Sequence, residues 1–333
     1  MVKKLVRYIM TGMLGVLHAS PLVHAQEFEK LAQSGLEFLS VVSDARAAAL
    51  GQAVTSLDLA SGSLFFNPAG MAHTNTLVDV SASHNQWIAD INHNTISLAL
   101  RPWDGDYGVF GASLQFVDYG EILGTVVANN EQGYEDIGNI SASAFSFGVG
   151  YAKILTDQFS VGGQVRWVRQ SLGESIIPVT DSTTSTVENE VTPVAFDFGT
   201  MFRTGIKSLT FAMSVRNFSE EIQFQQEGFQ LPLLFSLGIS MDMMDVLDES
   251  SDMSLLVSVD AIHPRSHPEQ LLMGVEWTVL ETVSFRGGYI TGEDEGGLKF
   301  GFGLSRFGLQ IDYAYAPFGV FDNVQQFTFR FGY

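Results

Sequence analysis

The stretch Val324–Tyr333 reads Val-Gln-Gln-Phe-Thr-Phe-Arg-Phe-Gly-Tyr. With a period of two, it puts Phe327, Phe329, Phe331 and Tyr333 on one face of a strand and Gln326, Thr328, Arg330 and Gly332 on the other. In water, three Phe and a Tyr on one face of a final strand make an unprotected edge and an aggregation hazard. In a bilayer the same face is the lipid side of a closed barrel whose last strand ends at the aromatic girdle. Taken alone, the stretch fits either a membrane barrel or the last strand of a soluble sandwich, and the rest of the chain has to separate them.

After residue 75 the same alternation recurs, each run ending in Gly, Asp, Asn or Pro. Phe145, Phe147, Val149 and Tyr151 alternate with Ser146, Gly148 and Gly150. Leu309, Ile311, Tyr313 and Tyr315 oppose Gln310, Asp312 and Ala314. The pattern predicts strands near 76–84, 92–101, 107–117, 141–152, 158–170, 193–203, 207–216, 232–241, 253–262, 269–279, 282–290, 296–305, 307–316 and 323–333. That is about fourteen, an even number as in bacterial barrels, and many have the length a tilted strand needs to cross the hydrocarbon layer. The expected fold is therefore an all-β, antiparallel transmembrane barrel, with the final strand pairing with the first.

Connection lengths sharpen this reading. If the first strand runs outward, the long connections 118–140, 171–192 and 217–231 all lie outside, while 102–106, 153–157, 204–206, 280–281 and Arg306 form short inner turns and only 242–252 is a long inner one. Short periplasmic turns and long outer loops are the asymmetry of outer-membrane barrels, and a sandwich has no reason to alternate this way. The polar faces suit a lumen: Arg166, Asp197, Arg203, Arg216, Asp260, Arg286, Lys299, Asp312 and Arg330 fall on the inner side. On the lipid face each Arg or Lys would cost about 2–4 kcal/mol near the midplane. Gly148, Gly301 and Gly303 leave room for something inside.

The start of the chain fits export. Lys3, Lys4 and Arg7 precede an apolar stretch from Leu5 to Leu17 and the small-residue end Val23-His24-Ala25, which reads as a signal peptide, residues 1–25, cut after Ala25. No other window is apolar enough for a membrane helix. The chain has no Cys, which excludes disulfides, thiolate catalysis and Cys metal sites. The formal charge of -20 becomes -23 once a leader with three basic residues and no acidic ones is removed, so nucleic acid is a poor partner. Acids cluster at Glu131–Asp136, Asp242–Asp252 and Glu293–Glu295 without EF-hand spacing, which predicts a solvated or divalent-bridged loop surface rather than a dedicated metal site.

Residues 26–75 break the strand pattern and precede a barrel expected over 76–333. Ser43-Asp44 followed by Ala45, Arg46, Ala47, Ala48, Ala49, Leu50 and Gly51 predicts a short capped helix ending in Gly. Phe65 and Phe66 then enter a tight turn through Asn67, Pro68, Ala69, Gly70 and Met71, in which Pro68 fixes its own backbone and biases Asn67 toward an extended conformation. A segment too short to fold alone needs a container, and the lumen supplies one. Ala45, Arg46, Ala47, Phe65, Phe66, Asn67, Pro68 and Gly70 are thus the candidate plug residues.

These residues resemble the PorV/PorQ family, together with Gly35-Leu36-Glu37-Phe38-Leu39, Phe116-Val117-Asp118-Tyr119-Gly120-Glu121, Phe159-Ser160-Val161-Gly162-Gly163, Asp260-Ala261-Ile262-His263-Pro264 and Asp312-Tyr313-Ala314-Tyr315 with Phe318-Gly319. The likeness runs through nearly all of the chain after the leader, and the Ala-Arg-Ala helix with Asn-Pro-Ala-Gly is its most specific part. More distantly the chain is similar to FadL long-chain fatty-acid transporters, which share an Asn-Pro-Ala turn in an N-terminal hatch. The first resemblance implies an outer-membrane component of type IX protein secretion. There a PorV-like member binds C-terminal domains of cargo leaving the translocon and passes them to surface attachment, and a PorQ-like member sits with it. The second implies uptake of a hydrophobic small molecule gated by the hatch. A terminal aromatic strand also resembles the signal read by the barrel-assembly machinery, which singles out Phe329, Phe331 and Tyr333.

Catalytic chemistry finds no footing. His84 with His93, and His263 with His267 around Pro264, read as polar residues at the barrel rim, since Pro264 spoils a zinc-helix spacing and no third ligand follows. No G-x-S-x-G occurs, and no His inside a predicted strand adjoins a nucleophile. The expectation is a non-enzymatic barrel with no catalytic, metal or cofactor residues. Its expected partners are outer-membrane lipid, the barrel-assembly machinery, and a secretion translocon or cargo. A periplasmic β protein is a third reading.

Overall fold

The computed structural model describes residues 34–127, 130–180, 183–223, 228–247, 252–293, 297–319 and 323–333. The chain divides into Met1–Lys30 and Leu31–Tyr333, so the expected signal peptide lies outside the described residues.

Fourteen antiparallel strands close on themselves: β1 (Val78–Gln86), β2 (Asn92–Leu100), β3 (Val109–Asp118), β4 (Ser143–Thr156), β5 (Phe159–Thr180), β6 (Val194–Arg203), β7 (Thr210–Phe218), β8 (Leu234–Asp242), β9 (Met253–Pro264), β10 (Gln270–Val279), β11 (Val283–Ile290), β12 (Leu298–Arg306), β13 (Leu309–Ala316) and β14 (Val324–Gly332). Each pairs with the next in sequence, and β14 pairs with β1. The closing register sets Val80 opposite Phe331, Ala82 opposite Phe329 and His84 opposite Phe327. The Tyr333 amide donates to the Val78 carbonyl at 2.8 Å, and the Val78 amide returns a bond to Tyr333 at 3.0 Å. No strand edge is left inside the hydrocarbon layer, which is what a bilayer demands of β structure.

Burial follows parity. Phe327, Phe329, Phe331 and Tyr333 point outward and are 44–77% exposed, while Gln326 and Thr328 on the inner face are buried. The same holds round the wall, where Phe147, Trp167, Phe198, Trp277, Phe285 and Phe300 cover the outside.

Several details depart from the strand spans read in the sequence, among them β4, which runs to Thr156, four residues past its expected end. β5 continues to Thr180, ten residues past its expected end, and its outer part pairs with Thr183–Val191. Ile122–Val127 pairs with Tyr134–Ile140, and Ile222–Gln223 with Gly228–Phe229, so the long outer connections are hairpins rather than open loops. Above the membrane a ribbon is wetted on both faces and needs no apolar alternation, which removes the signal that marks the membrane-crossing strands. The turn expected at Arg306 falls at Phe307–Gly308, with φ of 54° and 78°, because a two-residue hairpin turn of this hand needs positive φ at both positions and Gly308 supplies it without strain. His93, expected at the rim, points into the lumen and is buried, its ring edge-on to Trp87, because it shares the inward parity of Thr95 and Ser97.

Two short α-helices, α1 (Ala45–Ala49) before the barrel and α2 (Met244–Leu247) in the long inner connection, join 3-10 turns that include Glu37–Ser40, Ala60–Phe65 and Pro68–His73 ahead of β1.

Candidate functional site

The segment before β1 threads the lumen from its outer end to its inner end. At the outer end Ser34 bridges to Gln230, and Leu36, Phe38 and Leu39 pack with Val117, Val168 and Leu231. Farther in, α1 begins at Asp44, whose carboxylate accepts from the Ala47 amide at 2.9 Å, an N-cap in the ordinary sense. The helix is almost all alanine because the wall is close: Ala45, Ala47 and Ala49 are fully buried. A side chain at Gly301 of β12 would put its first carbon 2.5 Å from that of Ala49. Burial pushes the Asp44 carboxyl above the usual carboxylate value of 3.8, and the nearby Asp312 carboxylate adds to the rise.

Arg46 is the one long side chain in this helix, and it reaches the wall. Its guanidinium makes a two-pronged pair with Glu276 of β10, at 2.8 and 2.7 Å. Glu276 also accepts from Arg286 of β11, which in turn donates to Asp312 of β13 at 2.6 Å. Two arginines and two carboxylates alternate along this chain, so its formal charge is balanced inside a poorly hydrated lumen. A charge left unpaired there would cost several kcal/mol, roughly the penalty for breaking a buried ion pair.

The other end of the plug grips the opposite wall. Asn67 caps the Pro68–His73 turn by accepting from the Ala69 amide at 3.1 Å, and its side-chain amide donates to the carbonyls of Thr55 (2.8 Å) and Thr200 (3.2 Å). The Phe65 carbonyl accepts from Arg216 of β7, and that guanidinium lies 5.6 Å from the centre of the Phe66 ring. Beside it, Arg166 of β5 pairs with Asp197 of β6 at 2.7 and 2.9 Å. Asn217, at φ 61° in a bulge of β7, donates from its amide to Asp197 at 2.7 Å. The Thr55 amide donates to Asp260 of β9 at 2.8 Å.

Wall glycines let the plug backbone come this near. A first side-chain carbon would stand 2.1 Å from the Gly51 nitrogen at Gly288, 1.8 Å from the Asn67 side-chain oxygen at Gly199, and 2.5 Å from the Pro68 carbonyl carbon at Gly162. Between the plug loop and the wall near Gln115, Arg166 and Arg216 a cavity of about 10 Å³ remains, room for about one water.

The sequence-derived residues thus fall into separate groups. Ala45, Arg46 and Ala47 lean on the wall of β10–β14, whereas Phe65, Phe66, Asn67, Pro68 and Gly70 lie toward β4–β7. Gly70 packs on Ser63, whose hydroxyl a side chain at Gly70 would approach to 2.8 Å. Phe329, Phe331 and Tyr333 are on the lipid side and touch none of these. On the inner face of the same strand, Thr328 accepts from the Ala45 amide at 2.8 Å, and Gln326 donates to the Val42 carbonyl at 3.3 Å. Glu276, Gly199 and Gly288 were not singled out in the sequence, and Thr328 was placed on an inner face without a partner. Inward parity on a strand is the signal they carry, and it is shared by dozens of lumen residues.

A family model described as "Type IX secretion system protein PorV" matches residues 24–263, which take in the plug and the barrel through most of β9. The chain belongs to the PorV family. Among solved structures, this PorV-family barrel is similar to the Ralstonia pickettii toluene transporter TbuX, with 11% identity and a TM-score of 0.58, over 89% of this chain and 99% of that one. It is similar to the Pseudomonas putida toluene transporter TodX, also at 11% identity and a TM-score of 0.58, over 87% and 97% of the two chains. It is similar as well to a Pseudomonas aeruginosa FadL homologue, at 12% identity and a TM-score of 0.53, over 86% and 97%. At such identities these neighbours speak for the FadL-like barrel fold alone. No curated protein sequence matches the chain. Family, closed barrel and apolar outer wall place this PorV-family protein in the outer membrane.

Proposed function

We propose that this barrel is a non-enzymatic docking component of type IX secretion, contacting the translocon or the C-terminal domains of cargo through its outer hairpins while residues 26–75 seal the lumen. The observation that carries the reading is the fit of the plug. The cavity beside Arg166 and Arg216 holds about 10 Å³, whereas pockets for small molecules measure roughly 300–1,000 Å³. The docking surface of this reading is the outer hairpins, where Leu123 and Val127 are 78% and 97% exposed. Affinity capture of the tagged protein from outer membranes tests the reading, with translocon or cargo C-terminal domains expected to co-purify and a deletion strain expected to retain cargo. Capture of neither, with normal secretion in the deletion strain, would rule it out.

Transport of a hydrophobic small molecule, the activity for which the toluene transporters are named, is the second reading. It draws on the Asn67-Pro68 turn of the plug and on the shared barrel. Loss of fatty-acid or toluene uptake on deletion, with secretion intact, would favour it over docking. Within either reading we assign residues 1–25 to a cleaved leader, 26–75 to the plug and 76–333 to the barrel. We assign Phe329, Phe331 and Tyr333 to the signal recognised by the barrel-assembly machinery.

A further inference from the structure

We infer that the outer hairpin formed by the top of β5 and Thr183–Val191 is an acceptor edge for a cationic protein strand, an inference that rests on the docking reading above. The three long outer connections, 118–140, 171–192 and 217–231, hold twelve acidic residues and no Lys, Arg or His. Thr183–Val191 is the end strand of its sheet, so among the described residues one row of its backbone amides and carbonyls has no strand partner. An open edge of this kind templates the addition of another strand.

The register adds a specific conflict. Glu174 and Glu188 stand directly opposite one another across this hairpin, and both are exposed. Like charges in that position weaken a ribbon. Glu190, next along the same face, pairs with Arg169 at 2.8 and 2.7 Å, and Arg169 also attracts Glu188 at longer range, but among the described residues neither Glu174 nor Glu188 makes an ion pair of its own. A Lys or Arg on an added strand would relieve the repulsion while the backbone completes the ladder. An acidic or neutral strand would gain the ladder and meet the repulsion, so charge selects the partner. A divalent cation would relieve the charge but leave the edge unpaired. Anionic lipid headgroups are repelled.

The test uses the full chain in detergent and a fluorescent twelve-residue peptide alternating Lys with Thr and Val. Two control peptides carry either Glu for Lys or N-methyl groups on the amides that would face the edge. The Lys peptide is expected to bind at least about tenfold tighter than either control, to weaken with added salt, and to lose that preference in the E174Q/E188Q variant. Heat-modifiable migration checks that the variant is folded. Equal binding of the N-methylated peptide, or unchanged binding to E174Q/E188Q, overturns the inference. So does calcium-induced thermal stabilisation that depends on both glutamates when no peptide binds. Affinity capture from cells separates the two levels. If wild type and E174Q/E188Q recover the translocon or cargo equally, the acceptor edge falls and docking stands. If wild type recovers neither and secretion is normal without it, docking itself falls.

Discussion

Asp44 caps the plug helix from a place that water reaches poorly, and the two demands conflict. The cap is satisfied by either an Asp or an Asn oxygen, but only Asp carries a charge that burial opposes. Its folded pKa is raised, so its contribution to plug docking is full below the unfolded value of 3.8 and is lost as pH rises through the folded value. Asp44→Asn is therefore expected to tighten docking at pH 7–8 and to leave it unchanged near pH 3. Hydrogen exchange at the Ala47 amide measures the gap, which should widen with pH. Asn67 is the opposite case, since every polar atom of its side chain is used. Asn67→Ala removes the side-chain bonds to the Thr55 and Thr200 carbonyls and to the Ala69 amide. It is expected to cost about 1–3 kcal/mol of plug docking, read as faster exchange or earlier protease cutting near residues 55–70.

At the level of elements, β11 and β14 show how one strand serves two environments. The outer face of β14 meets lipid through Phe327, Phe329 and Phe331, while its inner face holds the plug through Gln326 and Thr328. Deleting Tyr333 removes both backbone bonds to Val78 and the last aromatic of that outer face. Lower yield of inserted barrel is expected, with ordinary partner capture by the molecules that do insert, measured by outer-membrane fractionation. On β11, Gly288 lies against the backbone of Gly51, and no small rearrangement clears a 2.1 Å approach. Gly288→Val is expected to leave the ladder intact, since the inner face is all it changes, and to push the plug aside. Ion conductance in planar bilayers should then exceed that of the wild type.

The whole molecule combines a ladder closed through all fourteen strands with a plug held by local polar contacts. Closure removes fraying edges, so folded protein is expected to resist dodecyl sulfate and to migrate differently before and after boiling. Gly288→Val should keep that behaviour, because ladder and plug are separate sources of stability. A soluble sandwich would show no such difference.

Much of this architecture was legible in the chain. Alternation at period two depends only on each residue's own neighbours, so fourteen strands, their lipid faces and the pairing of the last with the first could be read directly. The Asp44 cap and the Asn67-Pro68 turn were legible for the same reason, each acting within three residues. The outer hairpins escaped because strands wetted on both faces carry no apolar rhythm. Which lumen residue meets which was beyond reading: Arg46 finds Glu276 across 230 positions, and Ala45 finds Thr328 across 283. Such partners depend on how fourteen registers stack around the barrel and on where a glycine opens the wall, and these are properties of the closed fold rather than of any stretch of chain.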